Sequence, residues 1–435
     1  MNDTAQRPVS RYIRLLFKIK AHEIRSALTS FVFMFTLMAA YYTLRPVRDA
    51  MASDWSDAEL SWLWTMTFAV SLVAVSVYGS AISRIKFRRL VPGVYAFFCL
   101  SFLAFYLGTQ TLDNPVYIDK TFYVWLSVFS LFHVSVFWSF MAETFSKDQG
   151  KRLFGFIASG ASIGAVAGPI IPVFFSATLG VYNLMLLASL LLLLTIPLIV
   201  YLEKLKQEEL DRAAPVLSSR DTIGGNPLSG FSDFLSNRYL LGIGLFILLY
   251  TVMSTFVYFE LKNMLAEFDR ATRSQYWGIM DLIVNSLAIV TAMFATNRLA
   301  MRFGLSVTLS IVPVIIIAGW LVVAVAPLLL VLVGLQIVRR AGNYAITRPG
   351  REMLFTLVSR ETRFKTKPVI DIVVYRGGDM LSGWVYTGLA QGFGLGLTGI
   401  GLIGAGVAFL WAIMAVFIGR SYDHDRLHSS AGKPD

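Results

Sequence analysis

The sequence has little sulfur and little charge. One cysteine, Cys99, lies inside an apolar run and only four histidines occur in 435 residues. A disulfide framework and a cysteine-based metal site are therefore excluded, and neither a metal centre nor any other cofactor is expected. Charged residues make up 15% of the chain against 56% hydrophobic, and the mean hydropathy is +0.64. A water-soluble domain of this length carries more charge, so that class is excluded as well. No Gly-x-x-x-x-Gly-Lys phosphate loop occurs, which argues against ATP-driven pumping, and no Ser, His, Asp arrangement points to hydrolysis. The chain is not expected to be an enzyme. A small-residue cleavage site is missing after the first apolar run, so Met1 to Ala27 reads as a basic tail and surface helix rather than a cleaved signal.

What the sequence has in abundance is long apolar runs. About 20 apolar residues cross a bilayer core as helix, and twelve such runs fall near 28–50, 60–82, 90–108, 121–143, 153–176, 181–202, 238–260, 275–297, 305–326, 328–348, 368–390 and 396–419. The net charge of +11 is concentrated in short loops beside these runs, as a topology signal is, so nucleic acid is not an expected partner. Arg7, Arg11, Arg14, Lys18, Lys20 and Arg25, then Arg84 to Arg89, Lys147 to Arg152, Arg298 and Arg302, and the stretch Arg351 to Lys367 all fall on one side. Acidic or uncharged connections alternate with them, including Asp54, Asp57 and Glu59, then Asp113 and Asp119. Both termini are thus expected to be cytoplasmic, in a multi-pass protein of the cell inner membrane that acts as a monomer.

The polar connection from Glu203 to Asn237 divides the runs into two sets of six. Each set has a basic loop between its second and third runs and a larger one between its fourth and fifth. The expected fold is an all-α polytopic membrane protein of twelve transmembrane helices in two pseudo-symmetric six-helix halves. The expected organisation is a tail at 1–27, one half at 28–202, a cytoplasmic linker at 203–237, the other half at 238–419 and a tail at 420–435. Such paired halves resemble the major facilitator architecture, in which substrate binds near the midplane. In the fifth run Gly160, Gly164 and Gly168 share one helix face, which suits close packing against a neighbouring backbone.

Several charges lie within the runs. Ionisable groups at bilayer depth are costly and usually face a water-filled path or a partner. The first run ends AAYYTLRPVRDAM, where Tyr41, Arg45 and Arg48 fall on one face and Asp49 lies one turn from Arg45. Planar guanidinium groups grip phosphate or carboxylate bidentately, and Tyr41 or Tyr42 can stack on a base or sugar. Arg45 and Asp49 can instead pair at the mouth of the run, although one acid serves two arginines poorly. Arg339 and Arg340 lie halfway along the tenth run, with Asp281, Asp371 and Asp379 as candidate partners. Arg376 and Asp379 are three residues apart and can pair with each other. Arginine outnumbers acid in this set, and the surplus points to an anionic small-molecule substrate. Asn285 can add a neutral hydrogen bond, and His133 is expected to pack, with proton carriage as the alternative. Glu143 and Glu260 read as boundary residues.

Three segments carry a family resemblance: TLRPVRD (Thr43 to Asp49), VFWSF followed by DQGKR (Val136 to Arg152), and YAITRPGREM leading to KTKPVIDIVVYRGGD (Tyr344 to Asp379). Together they resemble the nucleotide transporters typified by ATP/ADP antiporters, a distant branch of the major facilitator superfamily. Leu44, Arg45, Arg48 and Asp49 match that family's first-helix pattern, with arginine at its lysine position. Pro349, Arg351, Glu352 and Met353 match its tenth-helix ending, and Lys367, Asp371 and Arg376 the pattern that follows. Arg48, Arg340, Arg351 and Arg376 are the expected phosphate contacts, and Asp281, Asp371 and Asp379 are expected to gate or pair. The chain departs from the family at Asp379, where ATP-for-ADP exchangers have lysine, and at Ser127 and Val257, where the family has acids. The functional expectation is a secondary transporter of a nucleotide-like or phosphorylated anion. A proton-coupled carrier of a smaller organic anion or an amphipathic compound is the alternative.

Overall fold

The computed structural model describes residues 19–85, 87–208, 229–294, 296–359, 362–363, 366–367 and 369–431. Arg7, Arg11, Arg14 and Lys18 of the basic tail, Lys86, Lys365 and most of the linker fall outside the described residues. Among the described residues eleven helices are long and apolar enough to cross a membrane. They match eleven of the twelve expected spans, and the stretch expected as the eleventh is helix interrupted by wider turns.

In chain order the helices are α1 (Ile24–Met51), α2 (Asp57–Arg84), α3 (Phe87–Thr111), α4 (Val116–Thr144), α5 (Lys147–Leu179) and α6 (Val181–Glu208). After a short helical segment at Ser229–Ser236 come α7 (Arg238–Leu265), α8 (Arg270–Phe294), α9 (Thr296–Val325), α10 (Leu329–Gly342), α11 (Tyr375–Thr387) and α12 (Leu397–Ala431). The starts are encoded locally. Ser56 and Glu59 form a reciprocal cap at the head of α2, with Glu59 N–H donating to Ser56 Oγ (3.2 Å) and Ser56 N–H to Glu59 Oε2 (2.9 Å). Ser146 and Gln149 do the same for α5, and the Asn237 side chain accepts from the first amides of α7. Each cap satisfies donors that a helix start leaves without a partner. Within the spans serine and threonine hydroxyls fold back onto preceding carbonyls, as Thr43 does onto Ala39, which satisfies them without water.

The described residues form two compact units. The first comprises 1–51, 69–222 and 270–282, and the second 52–68, 223–269 and 283–435. Each unit therefore includes a short segment from the opposite sequence half: the head of α8 belongs to the first and the head of α2 to the second. Large apolar side chains such as Leu190, Leu193 and Leu194 on α6, and Phe409, Leu410, Ile413 and Phe417 on α12, are exposed. Apolar surface of this extent suits lipid as solvent.

In the first unit α5 lies flush against α1. A Cβ added at Gly160 would stand 2.5 Å from the Phe31 carbonyl oxygen and one at Gly168 2.7 Å from that of Ala39, while Gly164 faces the Phe35 carbonyl. The glycine stripe thus serves close backbone approach. In the second unit α9 is broken by a kink at Gly304, whose φ of 77° suits glycine. There the Asp423 carboxylate of α12 accepts from the Leu305 and Ser306 amides at 3.0 and 3.1 Å.

The helical winding changes around the arginines of the second unit. α10 passes through a π turn at Asn343–Thr347 into a further helical piece, Arg348–Leu354. A second π turn, Val369–Val374, precedes α11, and a third, Gly388–Gly392, follows it. Arg351, read from the sequence as the start of a basic loop, lies in the continued helix and is 9% exposed. The loop reading failed because TRPGRE has a proline and a glycine, while Pro349 falls near the head of the new helical piece, where a missing N–H does least harm.

Candidate functional site

In the first unit α1 presents two arginines to one acid. Arg48 Nε and NH2 donate to Asp49 Oδ1 at 2.9 and 2.6 Å, and Arg45 Nε lies 3.6 Å from Asp49 Oδ2. Asp49 therefore hydrogen-bonds Arg48 through one carboxylate oxygen and holds Arg45 only at ion-pair distance through the other. Asp281, considered above as a partner of Arg339 or Arg340, meets Arg45 NH1 at 3.7 Å. Arg48 also donates to Ser127 Oγ at 3.2 Å and lies over the Tyr123 ring at 5.2 Å. Ser127 and Tyr123 thus both join α4 to the α1 arginine.

The aromatic residues divide by role. Tyr42 is buried, and the Arg45 guanidinium lies 5.9 Å from its ring centroid. Tyr41 is half-buried and stacks on His133 at 4.5 Å, with interplanar angle 27°. His133 is buried, with Nδ1 3.3 Å from the Phe129 carbonyl and its ring near that of Phe129.

In the second unit Arg339 and Arg340 lie on α10, Arg351 on its continuation and Arg376 on α11. Arg339, 3% exposed, donates to Gln336 Oε1 at 3.2 and 2.6 Å and to the Tyr250 hydroxyl at 3.1 Å. Its hydrogen bonds thus go to neutral acceptors, an amide oxygen and a phenol, while Asp379, one of the acids expected near Arg339 or Arg340, lies within electrostatic reach of it. Arg340 is equally buried. Arg351 reaches Asp371 Oδ1 at 3.1 Å and Glu352 Oε1 at 3.3 Å, and Lys367 holds the other Glu352 oxygen at 2.6 Å. Arg376 pairs with Asp379 at 3.8 Å, as the spacing suggested. Asn285 is buried one turn beyond Asp281, yet the division between units falls between them.

Sequence reasoning missed other buried charges. Glu260, read as a boundary residue, is 7% exposed beside Lys262, which is 1% exposed and paired with Asp57. Asp119, fully buried, is paired with Arg270. All of these lie near span ends, where a charge reads as a topology marker. The one available signal was the pair Glu260 and Lys262 inside an otherwise apolar run.

Eleven helices of membrane length among the described residues define a polytopic membrane protein, and each unit holds arginines within its spans. Residues 28–359 match the Major Facilitator Superfamily, and the chain belongs to that superfamily. It is a membrane transporter and not an enzyme. Among its relatives, the ADP,ATP carrier protein 1 of Chlamydia muridarum (strain MoPn / Nigg) is 23% identical over 468 residues, covering 89% of this chain and 86% of the relative. The protein of the same name from Chlamydia trachomatis serovar D is 22% identical over 503 residues, covering 96% and 91%. The fold is similar to that of the nucleoside transporter NupG, with TM-score 0.64, 13% identity and coverage of 92% of this chain and 99% of that one. It is also similar to a POT family transporter in complex with 5-aminolevulinic acid, with TM-score 0.65, 12% identity and coverage of 92% and 96%.

Proposed function

We propose that the chain carries a phosphate-bearing anion, a nucleotide or phosphorylated metabolite, across the cell inner membrane by alternating access, as an exchanger. The observation that carries this reading is the run of Arg339, Arg340, Arg351 and Arg376 along α10, its continuation and α11, where Glu352, which also holds Lys367, and Asp371 pair with Arg351 and Asp379 pairs with Arg376. Positive charge buried in this number favours an anionic ligand, and guanidinium favours phosphate by its bidentate geometry. The likeness to proteins named ADP,ATP carrier supports the nucleotide class. Arg45 and Arg48 are the corresponding cations of the first unit, and Tyr41 offers an aromatic face. In this reading both termini are cytoplasmic and residues 203–237 link the two halves.

The test is uptake into proteoliposomes of labelled ATP, ADP, AMP, a nucleoside and a sugar phosphate. At least one phosphorylated solute is expected to enter and to exchange against internal solute, and added salt should weaken uptake. Failure of every phosphorylated solute to enter or to compete would overturn the reading. A smaller organic anion is the second reading, favoured by Asp379 beside Arg376. Competition by carboxylates but not by nucleotides would select it. Imposed pH gradients are expected to leave uptake unchanged, since His133 is held in packing contacts.

A further inference from the structure

The polar connection before α7 ends in a helix of eight residues, Ser229–Ser236, with the sequence SGFSDFLS. Eight residues rise about 12 Å as α-helix, well short of the roughly 30 Å of a bilayer core. At about 100° per residue, Phe231, Phe234 and Leu235 fall within one arc of it and Ser232, Asp233 and Ser236 within the opposite one. The apolar arc is used twice. Phe234 is seated on α7, its ring tip 2.6 Å from the place a Cβ would take at Gly244, so that glycine admits it. Phe231 and Leu235 stay 39% and 65% exposed. Two observations say what covers them. Leu241 and Leu245, one turn apart near the head of α7, are exposed as well, so the pair prolongs the apolar outer surface of a membrane-length helix. The one charge within Ser229–Ser236 is Asp233, on the other arc. A short helix with an apolar face, a polar face and no cation suits the boundary between headgroups and acyl chains, where apolar area rather than headgroup charge holds it.

The other side of this helix leads to the arginines of the second unit. Ser229–Ser236 packs against the π turn Val369–Val374, which carries Asp371, a partner of Arg351. Just beyond the helix, the Tyr239 hydroxyl donates to the Leu354 carbonyl at 3.1 Å, at the end of the helical piece that carries Arg351. Asn237 joins the two contacts, since its side chain caps α7 directly after the short helix ends. The stretch from Ser229 to Tyr239 thus touches the segments on both sides of the Arg351–Asp371 pair. A π turn interrupts the regular hydrogen-bond ladder, so its position depends on what packs beside it.

We propose that Ser229–Ser236 is an interface helix, seated in the headgroup boundary of the bilayer through Phe231 and Leu235, and that from this anchorage it holds the π turn at Asp371 in place. The test uses the full chain in phosphatidylcholine vesicles, in a Cys99→Ala background with a nitroxide at Phe231→Cys, Ser232→Cys or Leu235→Cys. Labels at 231 and 235 are expected to collide several-fold more with oxygen, which concentrates among acyl chains, than with an aqueous nickel chelate. The label at 232 should do the reverse, and adding phosphatidylglycerol should leave that order unchanged. Labels at 231 and 235 as open to nickel as the one at 232 would overturn the lipid assignment. Labels shielded from both colliders would overturn it too, in favour of a protein partner. Hydrogen exchange tests the second half of the proposal. Leu235→Asp, which expels the helix from the bilayer, should speed exchange of amides 369–374 on the order of tenfold relative to Leu235→Ile, with α5 at the parent rate in both. Unchanged exchange at 369–374 would overturn the link to the π turn, and so would an equal rise in α5, which marks general loosening. Neither measurement needs a substrate, so both stand apart from the transport assays.

Discussion

The arginines of the first unit and those of the second present the same chemistry on different backbones. Arg45 and Arg48 sit on one continuous helix, share Asp49 and are backed by α5 through the glycine stripe. Arg339, Arg340, Arg351 and Arg376 lie on helices interrupted by π turns at Asn343–Thr347 and Val369–Val374. A π turn opens the regular ladder and redirects the side chains that follow it, and such turns recur at functional sites. The contrast shows two ways of keeping guanidinium groups at bilayer depth. One divides a carboxylate between two cations on a fixed helix, and the other spreads four cations over a backbone with room to rewind.

This difference can be tested by removing one element at a time. The largest effect is expected for Arg340→Ala. Truncating a buried charged contact costs about 2–5 kcal/mol, so uptake by proteoliposomes should fall by at least about thirtyfold, with Arg340→Lys recovering part of it. Arg48→Ala should have a smaller effect, roughly tenfold or about 1.4 kcal/mol, because Asp49 keeps Arg45. Equal losses at the two positions would remove the distinction. Asp49→Asn should lower the thermal midpoint of the purified protein, since both α1 arginines lose their shared acceptor at a cost of about 1–3 kcal/mol. The smallest effect is expected for Asp379→Asn. Removing this acid should shift competition by a few-fold toward the more highly phosphorylated anion, and the shift should shrink with added salt. An unchanged order of competitors would remove Asp379 from substrate choice.

Much of the fold was legible because its signals are long. Eleven of the twelve expected spans are helices of membrane length, and the stretch expected as the eleventh span differs because its ladder is broken on both sides of α11. The local pairs within one or two turns, Arg45 with Asp49 and Arg376 with Asp379, were legible from spacing. Partners distant in sequence were not. Asp281 beside Arg45 and Tyr250 beside Arg339 depend on which helices pack together, and apolar periodicity carries no record of that in a chain whose spans are apolar all round. Arg351 was hidden by a proline and glycine that read as a loop. Asp57, Asp119 and Lys262 were hidden by position, since a charge near a span end looks like a boundary until its burial is known.

The α5 glycine stripe limits how this carrier can diversify. With α1 held carbonyl to Cα against its neighbour, the helix bearing Arg45 and Arg48 has no slack to tilt toward a shorter solute or away from a bulkier one. Lineages that acquire a new cargo would be expected to keep the stripe and α1 unaltered and to concentrate their substitutions around the rewound turns near Asn343 and Asp371, where the backbone can still be re-aimed.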